Sequence, residues 1–105
     1  MTIITFKPCE VEIKGHSGYG TNGNDIVCSA LSSIVTTTVN AILKHNSNAI
    51  EIKQEEALVD VKILKRDKFI NLLLDNMKKL LEELEVQYQK NVKVEVLKWN
   101  TVILF

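Results

Sequence analysis

The chain is poor in the residues that break or cross-link structure. It has one proline, two cysteines and four glycines, and all four glycines fall between residues 15 and 23. Aromatic side chains make up only 6% of it. Charge of one sign is missing too: thirteen basic and thirteen acidic side chains cancel. That balance removes the basic excess that sequence-independent nucleic-acid binding requires, and it disfavours anionic membrane surfaces. No basic n-region precedes an apolar run at the N-terminus, and no segment reads as the roughly 20 apolar residues of a membrane span. A cytoplasmic protein is expected. In that reducing compartment Cys9 and Cys28 should be free thiols rather than a disulfide.

What remains is a chain of 105 residues with 46% apolar and 25% charged side chains, enough for one domain over residues 1–105 with a modest core. The segments "TIITFK" and "CEVEIKG" alternate apolar and polar residues, with Pro8 between them, and predict two strands or one broken strand. From Ile26 the period becomes helical through Leu43, with a weakly polar outer face of Ser32, Ser33, Thr36, Thr37 and Thr38. His45 and Asn46 suit its C-terminal end, the latter as a residue tolerant of left-handed backbone. "AIEIKQ" and "ALVDVKIL" predict a hairpin turning at Glu55–Glu56. A second helix follows from about Asp67, its stripe being Phe69, Ile70, Leu73, Met77, Leu80, Leu81, Leu84 and Tyr88. "NVKVEVLKW" predicts a last strand, and "NTVILF" is an apolar tail of unassigned role. This order implies an α/β (α+β) two-layer sandwich: a mixed, mostly antiparallel sheet with two helices on one face.

Chemistry concentrates in "IKGHSGYGTNGNDIVCSALS". Gly18, Gly20 and Gly23 spell G-x-G-x-x-G before a helix, the outline of a phosphate turn. Asp25, however, would place a carboxylate at the helix N-terminus where a phosphate should sit. The acidic residue expected about 20 positions on is missing, and so is a G-K-[ST] lysine. Nucleotide binding is disfavoured.

A second reading joins His16 and Cys28. With Asn24 or Asp25 as N-cap, Cys28 lies in the first helical turn, where the dipole and unpaired amides favour an anion. Such positions lower a cysteine pKa from about 8.5 to roughly 3.5–7.5. His16, at the end of a strand, would supply the base if the loop folds back. The alternative is that Cys28 is simply packed, as most cysteines are, and Cys9 is read that way. A zinc site from Cys9, His16, Cys28 and His45 lacks the short paired spacing of such sites, so no metal and no cofactor is expected.

The same stretch resembles the signature of the ribosomal-processing cysteine protease family, also called Prp or YsxB-like: Gly-His-[Ala/Ser], a glycine-containing loop, then Gly-x-Asp-Ile-Val-Cys-[Ala/Ser]-Ala-x-Ser. Gly15, His16, Gly23, Asp25, Ile26, Val27, Cys28, Ala30 and Ser32 fall on it. "VNAIL" and "LLDNMKKLLEELEVQY" agree in order, so the resemblance covers nearly the whole chain. The departure is a shortened front hairpin holding Pro8, which puts the first strand pairing in question. The resemblance implies a bacterial cytosolic endopeptidase that removes the N-terminal extension of the large-subunit ribosomal protein numbered twenty-seven, cutting after an aromatic pair and before a small residue. It implies Cys28 as nucleophile, His16 as base, and a homodimer that covers the weakly polar face of the first helix.

On that footing the oxyanion would be held by amides of the first helical turn. Asp25 either caps the helix or orients His16. Ser32 and Gly15 are supporting residues, Ser32 by hydrogen bonding. Residues 17–24 would form a lid with Ser17, Gly18, Tyr19, Gly20 and Gly23 as substrate-binding loop and Tyr19 as its aromatic surface. The peptide would pair with a strand edge. The alternative from another class is a non-catalytic assembly factor that binds a ribosomal protein.

Overall fold

The structure is a computed structural model and describes residues 1–20 and 25–99. Gly23, Asn24 and the tail "NTVILF" lie outside the described residues. In chain order the elements are β1 (Thr2–Lys7), β2 (Glu10–Lys14), α1 (Ile26–His45), β3 (Ile50–Glu55), β4 (Leu58–Ile63), α2 (Lys68–Gln87) and β5 (Val92–Val96). The five strands form one sheet in the order β3-β4-β2-β1-β5, antiparallel throughout except for the parallel pair β1 and β5. This is the expected α+β sandwich. The questioned first pairing is made in full: β1 and β2 run from Ile3 opposite Lys14 to Lys7 opposite Glu10, and Pro8–Cys9 is the turn.

The two-residue side-chain period sorts each strand onto two faces. Ile4, Phe6, Val11, Val61, Ile63 and Val92 point to one face and are buried with residues of both helices. The other face is charged. There Thr5 stands opposite Glu12, and Glu12 opposite Asp60. Glu10, Glu12 and Asp60 form the acidic group found among the described residues. Lys7 reaches Glu10 and Glu12 at 3.5 and 3.9 Å, and Lys14 reaches Glu12 at 3.3 Å. Burial first, then the charges of Glu10 and Glu12, push the Asp60 carboxyl above its ordinary range.

Four local expectations need correction. The hairpin turn lies one residue later than Glu55–Glu56, with Ala57 in the left-handed region at φ 57°. Asn46 caps α1 from an extended backbone, φ −150°, because its carboxamide is used in a local turn, accepting from Asn48 N at 2.9 Å. The buried line of α2 is Ile70, Leu74, Met77, Leu81 and Leu84. Phe69 and Leu80 lie at its exposed border, Phe69 lying 4.6 Å from the His45 ring. Finally, α1 is by length and hydropathy apolar enough to cross a membrane. Ser and Thr score only mildly polar, which lifts the mean. Its apolar side is nonetheless a core face, carrying buried Val27, Leu31, Val35, Val39 and Ile42.

The two helices are tied at the end remote from residue 28. Asp67 caps α2 by accepting from Ile70 N at 2.8 Å, and His45 Nε2 lies 2.7 Å from the other oxygen of the same carboxylate. These bonds hold the Asp67 carboxyl below its ordinary value. His45 is thereby committed to the fold.

Candidate active site

One end of the molecule gathers the C-terminus of β2, the start of β1 and β5, the start of α1 and the end of α2. Gly15 closes β2 there. Its amide donates to Ala57 O at 2.8 Å, its φ is +92°, and a Cβ in its place would lie 2.5 Å from the Met1 carbonyl oxygen. Only glycine fits that approach without displacement. His16 follows and is exposed.

The next residues fold back on the start of α1, and Asp25 is what holds them. Its carboxylate caps the helix by accepting from Val27 N at 2.9 Å and Cys28 N at 3.0 Å through one oxygen. The other oxygen accepts from the Ser17 hydroxyl and from Gly20 N at 3.3 Å. Four donors on one buried carboxylate hold it well below the usual carboxylate range. The Ser17 hydroxyl is the largest cause, and burial opposes it. Of the two roles open for Asp25, the structure assigns the cap, and among the described residues no hydrogen bond joins Asp25 to His16.

Cys28 stands on the third residue of α1, half-buried and unpaired with another cysteine. Its side chain therefore sits at the helix N-terminus as expected. No hydrogen bond links its sulfur to His16 among the described residues. The two are connected through the Asp25 carboxylate: His16 precedes Ser17, the Ser17 hydroxyl donates to Asp25, and Asp25 accepts from the Cys28 amide. Cys9 is exposed, not packed, and belongs to the opposite end, where its carbonyl accepts from Ile63 N at 2.8 Å.

Three expectations change. The amides of Val27 and Cys28 are taken by Asp25, so the first turn does not present them to an oxyanion in this state. Ser17 is 1% exposed and acts as a strut between the loop and Asp25, not as a surface for substrate. Ser32 is exposed on α1 without a bond to Cys28 among the described residues, and it lines a groove of about 280 Å³ between α1 and strands β3 and β4 with Ile52 and Val59. Gly18, at φ +73°, supplies the bend after Ser17. Gly20 contributes its amide to Asp25, and Tyr19 is half exposed.

Sequence reasoning missed two residues. Asn91 Nδ2 donates to Ser17 O at 3.0 Å, fastening the loop to the start of β5. Tyr88 meets Tyr19 edge to face, with ring centroids 5.2 Å apart. Both contacts span some seventy positions of sequence, so no local signal announces them.

Comparisons with known proteins match most of the chain. The model of the family described as cysteine protease Prp matches residues 1–93. The ribosomal processing cysteine protease Prp of Staphylococcus aureus is 29% identical over 91 residues, 84% of this chain and 86% of that protein. A crystal structure of an essential ribosomal processing protease Prp from S. aureus with a covalently linked product peptide superposes with a TM-score of 0.82 at 24% identity, covering 91% of this chain and 97% of the other. A Streptococcus mutans protein superposes at 0.73 and 22% identity, covering 91% of each chain.

Proposed function

Because this chain belongs to the cysteine protease Prp family and is accordingly a cysteine peptidase, we propose that it matures a ribosomal protein, removing the N-terminal extension of the large-subunit protein numbered twenty-seven. The observation that carries this reading is the Asp25 junction. One carboxylate fixes both the backbone of Cys28 and the loop that begins at His16.

His16 takes the Cys28 thiol proton, and the thiolate attacks the peptide carbonyl carbon, forming a carbon–sulfur bond as the carbonyl π pair moves to oxygen. The tetrahedral adduct collapses as the carbon–nitrogen bond breaks, and His16 delivers the proton that the leaving amine needs. The acyl-enzyme is then hydrolysed: His16 takes a proton from water, hydroxide adds to the thioester, and the thiolate leaves with the pair of electrons of the broken bond. That an S. aureus relative carries a covalently linked product peptide supports a covalent step here. Another S. aureus structure holds a substrate peptide, which supports a peptide as partner. His16 is exposed and Cys28 half-buried, and this reading requires substrate binding to bring the imidazole to the thiol, as catalytic contacts commonly tighten only in the complex.

The remaining parts of the proposal follow from surface chemistry. The exposed face of α1 carries Ser29, Ser32, Ser33, Thr36, Thr37 and Asn40 without a charge, and with exposed Ile52 it suits a second copy of this chain. On this reading the enzyme works in the cytoplasm and needs no cofactor.

The deciding experiment is incubation with a peptide copied from the host's own ribosomal protein extension. Cleavage at one bond is expected, lost in Cys28→Ala and lowered about 10²–10⁴-fold in His16→Ala. Iodoacetamide should modify Cys28 faster than Cys9, although Cys9 is the more exposed. Cleavage that survives Cys28→Ala removes the nucleophile from this reading.

A further inference from the structure

The proposed base, His16, stands on a backbone that is pinned on both sides. On one side Gly15 donates its amide to Ala57 O at 2.8 Å and lies too close to the Met1 carbonyl to carry a Cβ. On the other, Ser17 is 1% exposed and is held twice: its hydroxyl donates to Asp25, and its carbonyl accepts from Asn91 Nδ2 at 3.0 Å. Among the described residues, Asn91 is the one side chain from beyond the loop and α1 that grips this segment by a hydrogen bond. Asn91 is itself anchored. Its backbone carbonyl accepts from Thr2 N at 2.9 Å and its amide donates to Tyr88 O at 2.9 Å, which ties it to β1 and to the end of α2.

Resting on the peptidase reading above, we propose that Asn91 is a positioning residue for His16, acting through the Ser17 carbonyl. With Gly15 and Ser17 both fixed, the motion left to His16 is rotation about its own side-chain bonds, so the imidazole swings from one origin. Loss of the Asn91 bond frees the Ser17–Gly18 peptide, and Gly18, already at φ +73°, offers little resistance to rearrangement. The origin of the swing then moves, and misplacing a catalytic group by about 1 Å costs on the order of 10²-fold in rate. The choice of asparagine follows from the partner. A carbonyl oxygen only accepts, so the atom turned toward Ser17 is the NH2 group of the carboxamide. Aspartate has the same shape but would set a carboxylate oxygen against the carbonyl.

The test is a double-mutant cycle of Asn91→Ala and His16→Ala, read at pH 7 by cleavage of the peptide copied from the extension and by iodoacetamide labelling of Cys28. Asn91→Ala should lower kcat about tenfold or more with KM changed less than about twofold, and should slow labelling about threefold or more. In the His16→Ala background the same substitution should cost under about twofold by either measurement, because the imidazole that Asn91 places is gone. Asn91→Asp should be at least as impaired. It keeps the size of the side chain and both backbone bonds, so it replaces Asn91→Ala in the cycle if that variant does not fold. Losses that multiply in the His16→Ala background mean a general structural role and overturn the assignment, as does wild-type kcat in Asn91→Ala. If wild type leaves the peptide uncut, the peptidase reading falls, while the labelling cycle still decides whether Asn91 acts through His16.

Discussion

Gly15 and Gly18 both adopt left-handed backbone, yet replacing them by alanine should have different costs. At Gly18, φ +73°, the nearest atom to a new Cβ is the Met1 nitrogen at 4.0 Å, an ordinary contact. Only the conformational cost applies, about 1–2 kcal/mol. At Gly15, φ +92°, the Cβ would fall 2.5 Å from the Met1 carbonyl oxygen, closer than such atoms ever approach. The obstacle is backbone, and it cannot swing aside: Thr2 N donates to Asn91 O at 2.9 Å and Gly15 N to Ala57 O at 2.8 Å. Forcing the fit adds roughly 1–3 kcal/mol, the usual cost of overpacking. Gly15→Ala should therefore cost about 2–5 kcal/mol. Urea unfolding at pH 7 measures both variants, and thermal midpoints should separate in the same order, by about 4–8 °C per kcal/mol for a domain of this size. Gly15→Ala should also slow alkylation or cleavage at Cys28, since His16 is the next residue. Equal destabilisation by the two substitutions would refute the claim that the Met1 carbonyl is what demands glycine at 15.

Three further outcomes are expected. The Asp25 carboxyl is held low by its four donors, so its contribution is present above the ordinary carboxylate pKa of about 3.9 and is lost as pH falls through its folded value. The stability gap between wild type and Asp25→Asn, from urea midpoints, should therefore narrow below about pH 4; a gap constant from pH 7 to pH 3 contradicts the bonding described. Asp60 is the opposite case. Its raised value means that its charge costs stability above the ordinary pKa, so Asp60→Asn should stabilise at pH 7 by roughly 0.2–1 kcal/mol, with the gain vanishing in acid. Destabilisation at pH 7 would show that the carboxylate is paired after all. Ala57→Gly should raise the unfolding free energy from urea titration by about 0.5–1 kcal/mol, the relief of left-handed strain less the added freedom of the unfolded chain; a lowered value would place Ala57 elsewhere in φ.

Alternation and periodicity made all seven elements readable, because burial on one face imposes period two on a strand and 3.6 on a helix. The cap at Asp25 was readable as one of two choices because its spacing to Cys28 is local. What sequence did not show is cooperative and distant. Asn46 was free to cap in either geometry until Asn48 claimed its side chain. Phe69 shares the spacing of the α2 core but lies at its border, where His45 meets it. The role of Ser17 depends on Asn91 and Asp25 together, and composition makes it one more polar loop residue. The same limit applied to the oxyanion: a helix N-terminus offers amides by rule, and here a carboxylate three residues before the thiol occupies two of them.

The sheet order bears on how this chain comes to be active. β1 lies inside the sheet, and its parallel neighbour β5 is separated from it by all the other elements. Non-local parallel pairing closes a long loop before its contacts reward it, so it forms late. Asn91 and Tyr88, which brace the loop ahead of Cys28, arrive with that last strand. On a ribosome the N-terminal hairpin, α1 and the thiol emerge first, but the brace is absent until the C-terminal third has been made. On the proposed reading, the chemistry of the thiol is coupled to completion of the fold, and a nascent or truncated chain would carry the cysteine without the loop brace made by Asn91 and Tyr88.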